Sequence, residues 1–216
     1  MAKIQNSAEK WDSFWKMSVF QTPGTGRIEN FYRTIIYFRA YERLLNGVNL
    51  QGKSILELGS GTGNNSLYLA KKHGAALVSL LDFSAQGLAK VAKDQFPCKV
   101  QTIQDDLVSH RPPRAYDTVH STGLVEHFED EARLAVVQKH AECAKEGGYV
   151  MIWVPVRSFA FAFIGRFNIL LGIEEIPFTE EEMRGLFTAS GLRIVNETHT
   201  AFGALFGILG QKTHEN

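Results

Sequence analysis

From residue 53 onward, short apolar runs alternate with amphipathic ones, and turn residues separate them. Residues 54–58, 77–81, 99–103, 117–121 and 149–154 read as strands. Between them, residues 65–73, 85–95 and 129–145 carry helical spacing and end at Gly74, Pro97 and the Gly147-Gly148 pair. The strands are nearly continuous apolar runs, which predicts a parallel sheet covered by helices on both faces, an α/β doubly wound architecture. The first 50 residues look helical with breaks. Trp11, Phe14 and Trp15 share one helical face by their i, i+3, i+4 spacing, residues 23–26 (PGTG) interrupt, and a second helix is expected over 28–45. Ligands of such a sheet bind beyond the carboxyl ends of its strands, which is where the polar motifs of this chain cluster.

The densest of those motifs is ILELGSGTGN, residues 55–64. An apolar strand carrying a carboxylate, Glu57, runs directly into glycines at alternate positions, Gly59, Gly61 and Gly63. Such a turn leaves backbone N–H groups open to a ligand, and glycine lets the ligand approach closely. The expected occupant is a nucleoside-bearing cofactor. A dinucleotide loop needs a third glycine at 64 or 66, where Asn64 and Ser66 stand. Glu57 would repel a pyrophosphate but accepts hydrogen bonds from water or from an ammonium group. S-adenosylmethionine suits that arrangement better. Asp82, 23 residues after Gly59, falls where a β-α-β unit places a ribose-binding carboxylate; alternatively it caps the next helix together with Ser84.

These segments resemble the class I S-adenosylmethionine-dependent methyltransferases over roughly residues 50–200. ILELGSGTG is similar to their first motif, whose turn (here Gly59, Ser60, Gly61, Thr62 and Gly63) cradles the methionine part of the cofactor, with Glu57 at its amino-acid end. LLDFS places Asp82 on the ribose, with Phe83 and Ser84 beside it. IQDDL offers Asp106, or its neighbour Asp105, to the adenine amino group and Leu107 to the ring. YDTVHSTGLVEHF starts at Asp117 and brings Ser121, Thr122 and Leu124 to the cofactor pocket. PFTEEEMRGLFTASGLRIVNE is similar to the closing helix and strand of small-molecule enzymes such as those of quinone biosynthesis, with Thr179 as N-cap, Glu182 three residues on and Gly191 as the stop. The resemblance implies a Rossmann-like, mostly parallel seven-stranded sheet over residues 51–216. Residues 1–50 would then be a helical extension serving as a lid.

Methyl transfer is an in-line displacement, and a base is needed where the acceptor must lose a proton early. Glu126 and His127 follow the fourth strand at the edge where acceptor and cofactor should meet, with His127 as the candidate base. Either residue could equally open the following helix. In quinone O-methyltransferases a similar Glu-His pair is thought to contribute metal ligands. Their earlier acidic residue corresponds to Gly123 here, so no metal is expected. His120, inside the strand, reads as a packed structural histidine. Residues 157–178 carry Phe159, Phe161, Phe163, Phe167 and Phe178 with only Arg157 and Arg166 as cations. This apolar insertion reads as a lid over an aromatic or lipid-like acceptor, with core packing, a dimer contact or a membrane contact as alternatives. Trp11, Phe14, Trp15 and Tyr32 would close over the cofactor from the other side, and core packing explains them equally well.

Composition narrows the field further. The chain has 216 residues, 23 basic and 23 acidic, and no Lys/Arg block longer than Lys71-Lys72, which argues against nucleic acid as a partner. Cys98 and Cys143 lack metal-ligand spacing, and no leader-like or membrane-spanning apolar run is present, so a reduced cytoplasmic protein without membrane insertion is expected. The partner is then a small-molecule acceptor, with the oligomeric state left open and a homodimer among the options. Two other classes stay in view: an NAD(P)-dependent oxidoreductase, and a protein that binds the cofactor without turnover.

Overall fold

In a computed structural model the described residues are 8–17, 37–158, 161, 175–200 and 203–213. The centre of the fold is β1 (Ser54–Leu58), where Ile55, Leu56 and Leu58 are fully buried because the strand is covered on both faces. It pairs in parallel with β2 (Leu77–Asp82) on one side and with β4 (Tyr116–Thr122) on the other. β3 (Lys99–Gln104) extends the sheet beyond β2, and β5 (Ala144–Pro155) beyond β4, again in parallel. Two antiparallel strands, β6 (Leu192–His199) and β7 (Leu205–Lys212), complete the order β3-β2-β1-β4-β5-β7-β6. The expected doubly wound, mostly parallel seven-stranded sheet is therefore present.

Period-two alternation splits the core into two layers. Leu56, Leu58, Leu81, Val119, Val150 and Ile152 face a cluster with Val136 and Val137 of α5 (Asp130–Cys143) and with Met183 and Phe187 of α6 (Glu180–Ala189). Ile55, Val78, Leu80, Met151 and Trp153 face the other, with Tyr41 and Leu44 of α2 (Phe38–Leu44), Leu69 and Ala70 of α3 (Asn64–His73) and Leu88 of α4 (Ala85–Ala89). α1 (Ala8–Met17) lies against α4. Thr179 caps α6 by accepting the Glu182 N–H at 3.2 Å, as its sequence predicts. Among the described residues no helix is long and apolar enough to cross a membrane.

Three element boundaries differ from the sequence expectation. The helix expected over 85–95 is the short α4 followed by a 3-10 turn at Lys93–Gln95. α5 stops at Cys143, and the Gly147-Gly148 pair lies within β5 at a register shift between Tyr116 and Thr118, rather than ending the helix. Of the helix expected over 28–45, only Phe38–Leu44 falls among the described helices. Tyr32, Phe159, Phe163, Phe167 and Arg166 lie outside the described residues.

β7 is shaped for close packing. Trp153 of β5 is fully buried, stacks on Tyr41 with ring centroids 5.1 Å apart, and lies over Gly207, where an added Cβ would come within 2.6 Å of the indole. Gly207→Ala is expected to overpack this layer and destabilise the fold by about 1–3 kcal/mol, read as a lowered urea midpoint with an unchanged slope.

Candidate active site

The carboxyl ends of β1, β2, β3 and β4 open into one cavity of about 450 Å³. At its floor is the glycine loop. Gly61 has φ +51° and lies so close to the Trp15 indole that a Cβ would run into it, so only glycine fits there. Glu57, 1 % exposed, accepts the Ser66 N–H and the Asn65 side-chain amide at 3.3 Å each, and so supplies α3 with the N-terminal cap that Gly63 lacks. His120 stands behind it as a buried structural histidine, 2.9 Å from the Ser66 hydroxyl; burial, then the neighbouring His140, pushes it down to about 3, so the ring is neutral.

Asp82 closes β2 and lines the cavity. Its carboxylate accepts the Gly61 N–H at 2.7 Å and the Ser84 N–H at 2.8 Å. Burial raises its pKa, and the backbone donors of Ser84 and Gly61 work against that shift. Both sequence readings of Asp82 thus meet a third role, bracing the glycine loop. The capping of α4 falls to Ser84, whose hydroxyl accepts from Gly87 N at 3.1 Å. On the β3 side, Asp105 is 2.7 Å from His110 Nδ1, and this hydrogen bond, ahead of the others, lowers its pKa. Asp106 turns one oxygen to the Val108 and Ser109 N–H groups, and both aspartates line the cavity with Leu107 and Phe83.

Most of the expected cofactor residues therefore converge: Glu57, Gly59, Ser60, Gly61, Thr62, Asp82, Phe83, Asp105, Asp106, Leu107, Thr122 and Leu124 all line the space. Ser121 does not. Period two sends it to the opposite face of β4, where its hydroxyl meets His140 Nε2 at 2.9 Å. Gly63 and Ser84 also stay out of the lining and shape the two turns instead. Asp117 sits at the far end of β4, tied to the Ser54 N–H and hydroxyl and to Lys145.

Across the cavity a 3-10 turn after β4, Val125–His127, sets the other wall. His127 is 5 % exposed, lines the cavity, and meets the Trp11 ring edge-on at 5.1 Å. Glu126 is 2 % exposed, and its Oε2 has no hydrogen-bond partner. The residue missed from the sequence is Glu175. It lines the cavity, and it brings one donor atom within 4.8 Å of donor atoms of Glu126 and His127. A carboxylate thus joins the Glu-His pair after all, from 49 residues downstream of Glu126 rather than from position 123. The chain returns there because Ile176 N–H donates to Glu126 O at 3.2 Å and Phe178 pairs with Val156. Arg133 fixes the junction: it donates to Phe128 O at 2.9 Å and Ile176 O at 2.8 Å, lies over the Phe178 ring at 3.8 Å, and pairs with Glu182.

α1 closes the remaining side with Trp11, Phe14 and Trp15. Its Asp12 accepts from the Ser84 hydroxyl at 2.5 Å and the Gln86 N–H at 3.2 Å, and Lys90 reaches the Trp15 carbonyl.

Comparison with known proteins agrees with this geometry. Residues 55–148 match the family model of the methyltransferase domain. The chain is similar to magnesium protoporphyrin IX methyltransferase from Synechocystis PCC 6803 with bound SAM, at 15% identity and TM-score 0.71 over 96% of this chain and 98% of that one. It is similar to 1,6-didemethyltoxoflavin-N1-methyltransferase from Burkholderia thailandensis, at 15% identity and TM-score 0.70 over 99% and 92%. A third likeness is the N-methyltransferase NodS from Bradyrhizobium japonicum, at 10% identity and TM-score 0.69 over 97% and 100%. No curated protein sequence matches the chain. The fold is that of the class I S-adenosylmethionine-dependent methyltransferases. Residues 55–148 thus carry a methyltransferase domain, which favours methyl transfer over the oxidoreductase alternative.

Burial, and then the charge of Glu175, pushes the Glu126 carboxyl up from 4.5 to about 8. The folded chain therefore holds a proton there that the unfolded chain has already lost. Stability of the ligand-free protein is expected to fall as pH rises from about 4.5 to about 8, and to level off above that. Glu126→Gln should flatten this slope in urea titrations across the same window.

Proposed function

We propose that the protein transfers a methyl group from S-adenosylmethionine to a small acceptor bound between the glycine loop and the Glu126–His127–Glu175 wall. The observation that carries this reading is one cavity with cofactor-type carboxylates at one end and His127 and Glu175 at the other, with donor atoms of the buried Glu126 within 4.8 Å of theirs. When bound, the cofactor supplies an electrophilic methyl on a sulfonium. Glu57 faces its ammonium end, Asp82 its ribose, and Asp105, Asp106 and Leu107 its adenine. Thr122 and Leu124 hold the sulfonium region close to the acceptor wall.

The acceptor lies under Trp11, Phe14 and Tyr37, whose rings favour a molecule with an aromatic or apolar body. These rings orient its reacting atom in line with the methyl, and much of the acceleration comes from that positioning. His127 takes the proton that the acceptor sheds. The apolar composition of the 157–178 segment suits contact with such an acceptor rather than with a membrane.

Asp82→Ala is expected to weaken S-adenosylmethionine binding by about 1–3 kcal/mol in calorimetry, through loss of charged hydrogen bonds to ribose and of the brace on Gly61. Unaltered affinity would remove Asp82 from the cofactor site. His127→Ala should lower turnover by about 10²- to 10⁴-fold with S-adenosylhomocysteine affinity retained. Full turnover in that variant would show that His127 is not the base.

A further inference from the structure

Helix α2 supplies a side chain that reaches the cavity wall from behind. Tyr41 is fully buried, and its hydroxyl meets the Thr122 hydroxyl at 2.5 Å. Thr122 is the last residue of β4 and lines the cavity. The Tyr41 ring is clamped. Trp153 stacks on it with centroids 5.1 Å apart and 6° between the planes, and Tyr37 packs against it at 5.3 Å. The helix itself is fastened to β6: the Asn196 amide donates to the Arg43 and Leu44 carbonyls at 2.8 and 3.0 Å, and Arg43 donates to the His199 carbonyl at 2.7 Å. Support of this kind holds a site group in one orientation.

Tyr41 does not need Thr122 for its own sake. A buried phenol requires a hydrogen-bond partner, and the Tyr37 side chain already provides one. What the pairing settles is the orientation of Thr122. Rotation about χ1 exchanges a threonine hydroxyl with its methyl, and the contact with Tyr41 selects one rotamer. A hydroxyl has one donor and two lone pairs. If Tyr41 donates, one lone pair of Thr122 Oγ1 remains; if Thr122 donates, both remain. Either way a residue of the cavity wall keeps a fixed acceptor. Among the described residues the lining around it carries carboxylates and no lysine or arginine, so it is a place for positive charge.

The two forms of the cofactor differ in what they offer such an oxygen. S-adenosylmethionine presents a positive sulfonium whose methyl C–H bonds are polarised. S-adenosylhomocysteine presents a neutral thioether and no methyl. A lone pair is attracted to the first and gains nothing from the second. We propose that Thr122 Oγ1, oriented by Tyr41, is the group by which the site distinguishes the methyl-bearing cofactor from the spent one. Thr122 is then a specificity-determining residue, and Tyr41 is a positioning residue contributed by the N-terminal 50 residues. This inference rests on the placement of the cofactor under Proposed function. The oxygen holds the methyl donor before transfer and loses its contact once the methyl has left, which favours release of the product.

The test is calorimetric titration of the full chain with S-adenosylmethionine and with S-adenosylhomocysteine, in the unaltered protein and in Tyr41→Phe. The variant keeps the ring and its stacking and removes the hydroxyl alone. Affinity for S-adenosylmethionine is expected to fall about 3- to 10-fold while affinity for S-adenosylhomocysteine is unchanged. The proton resonance of the bound methyl group should also move upfield, because a C–H···O contact is lost. A purely structural role for Tyr41 would weaken both ligands together and leave that resonance in place. Thr122→Val, which keeps the side-chain shape and removes the oxygen, should reproduce the selective loss, and it decides the case if Tyr41→Phe does not fold. Equal loss for both ligands in variants with native circular dichroism, or no loss for either, would overturn the proposal. Selective loss in Thr122→Val without it in a folded Tyr41→Phe would overturn the part given to Tyr41. Failure of S-adenosylhomocysteine to bind the unaltered protein would instead overturn the cofactor reading, and this inference with it.

Discussion

Two carboxylates at the ends of neighbouring strands hold the backbone on which the site is built. Glu57 of β1 reaches the first turn of α3, and Asp82 of β2 reaches the loop at Gly61. Between them they anchor both sides of the glycine turn. Glycine permits that turn, but an unanchored glycine segment would sample many shapes and lose more entropy on ordering. The charged acceptors select one shape, and each also compensates for its own burial with backbone donors. The parallel pairing of β1 with β2 makes this possible, because it brings both strand ends to the same edge.

The opposite wall is organised by a cation rather than by anions. Arg133 gathers the Phe128 carbonyl, the Ile176 carbonyl, the Phe178 ring and Glu182 around one planar guanidinium. Its fixed fork suits several acceptors at once in a way that a lysine would not match. The consequence is that a turn following β4 and a segment leading into α6 become one surface. Glu126 and Glu175 are thereby brought together, and Glu126, buried beside the Glu175 charge, keeps its proton. Titrating groups shifted in this way cluster at sites that bind something.

Much of this was legible in the chain because the signals are local. Continuous apolar runs gave the strands, alternate glycines gave the loop, and Thr179 with Glu182 gave the start of α6. Glu175 was not legible. It belongs to the site only because the chain comes back beside β5 through the Val156–Phe178 bridge, and no spacing along the sequence reports such a return. The aromatic residues around it drew the reading toward an apolar lid and away from its carboxylate. Ser121 shows a different failure. The alternation of β4 already placed it on the opposite face from Thr122, and matching a motif as a block overlooked that period. The short α4 was hidden in the same way, since the residues from 85 to 95 keep helical composition while the chain changes to a tighter turn.

The antiparallel edge carries a last consequence. β7 contains Gly207 directly opposite Trp153, and Gly210 on its other face beneath Phe187, where an added Cβ would lie 2.8 Å from the ring. Strands with few side chains usually define their alignment poorly. Here each missing side chain is a slot that one ring occupies, and the two slots open to opposite layers. Sliding β7 by one residue would set Trp153 against Phe206 or Ile208, both buried and with no room for an indole. The strand is thus aligned by what it lacks, much as a notched bar is located by the pins that fit it.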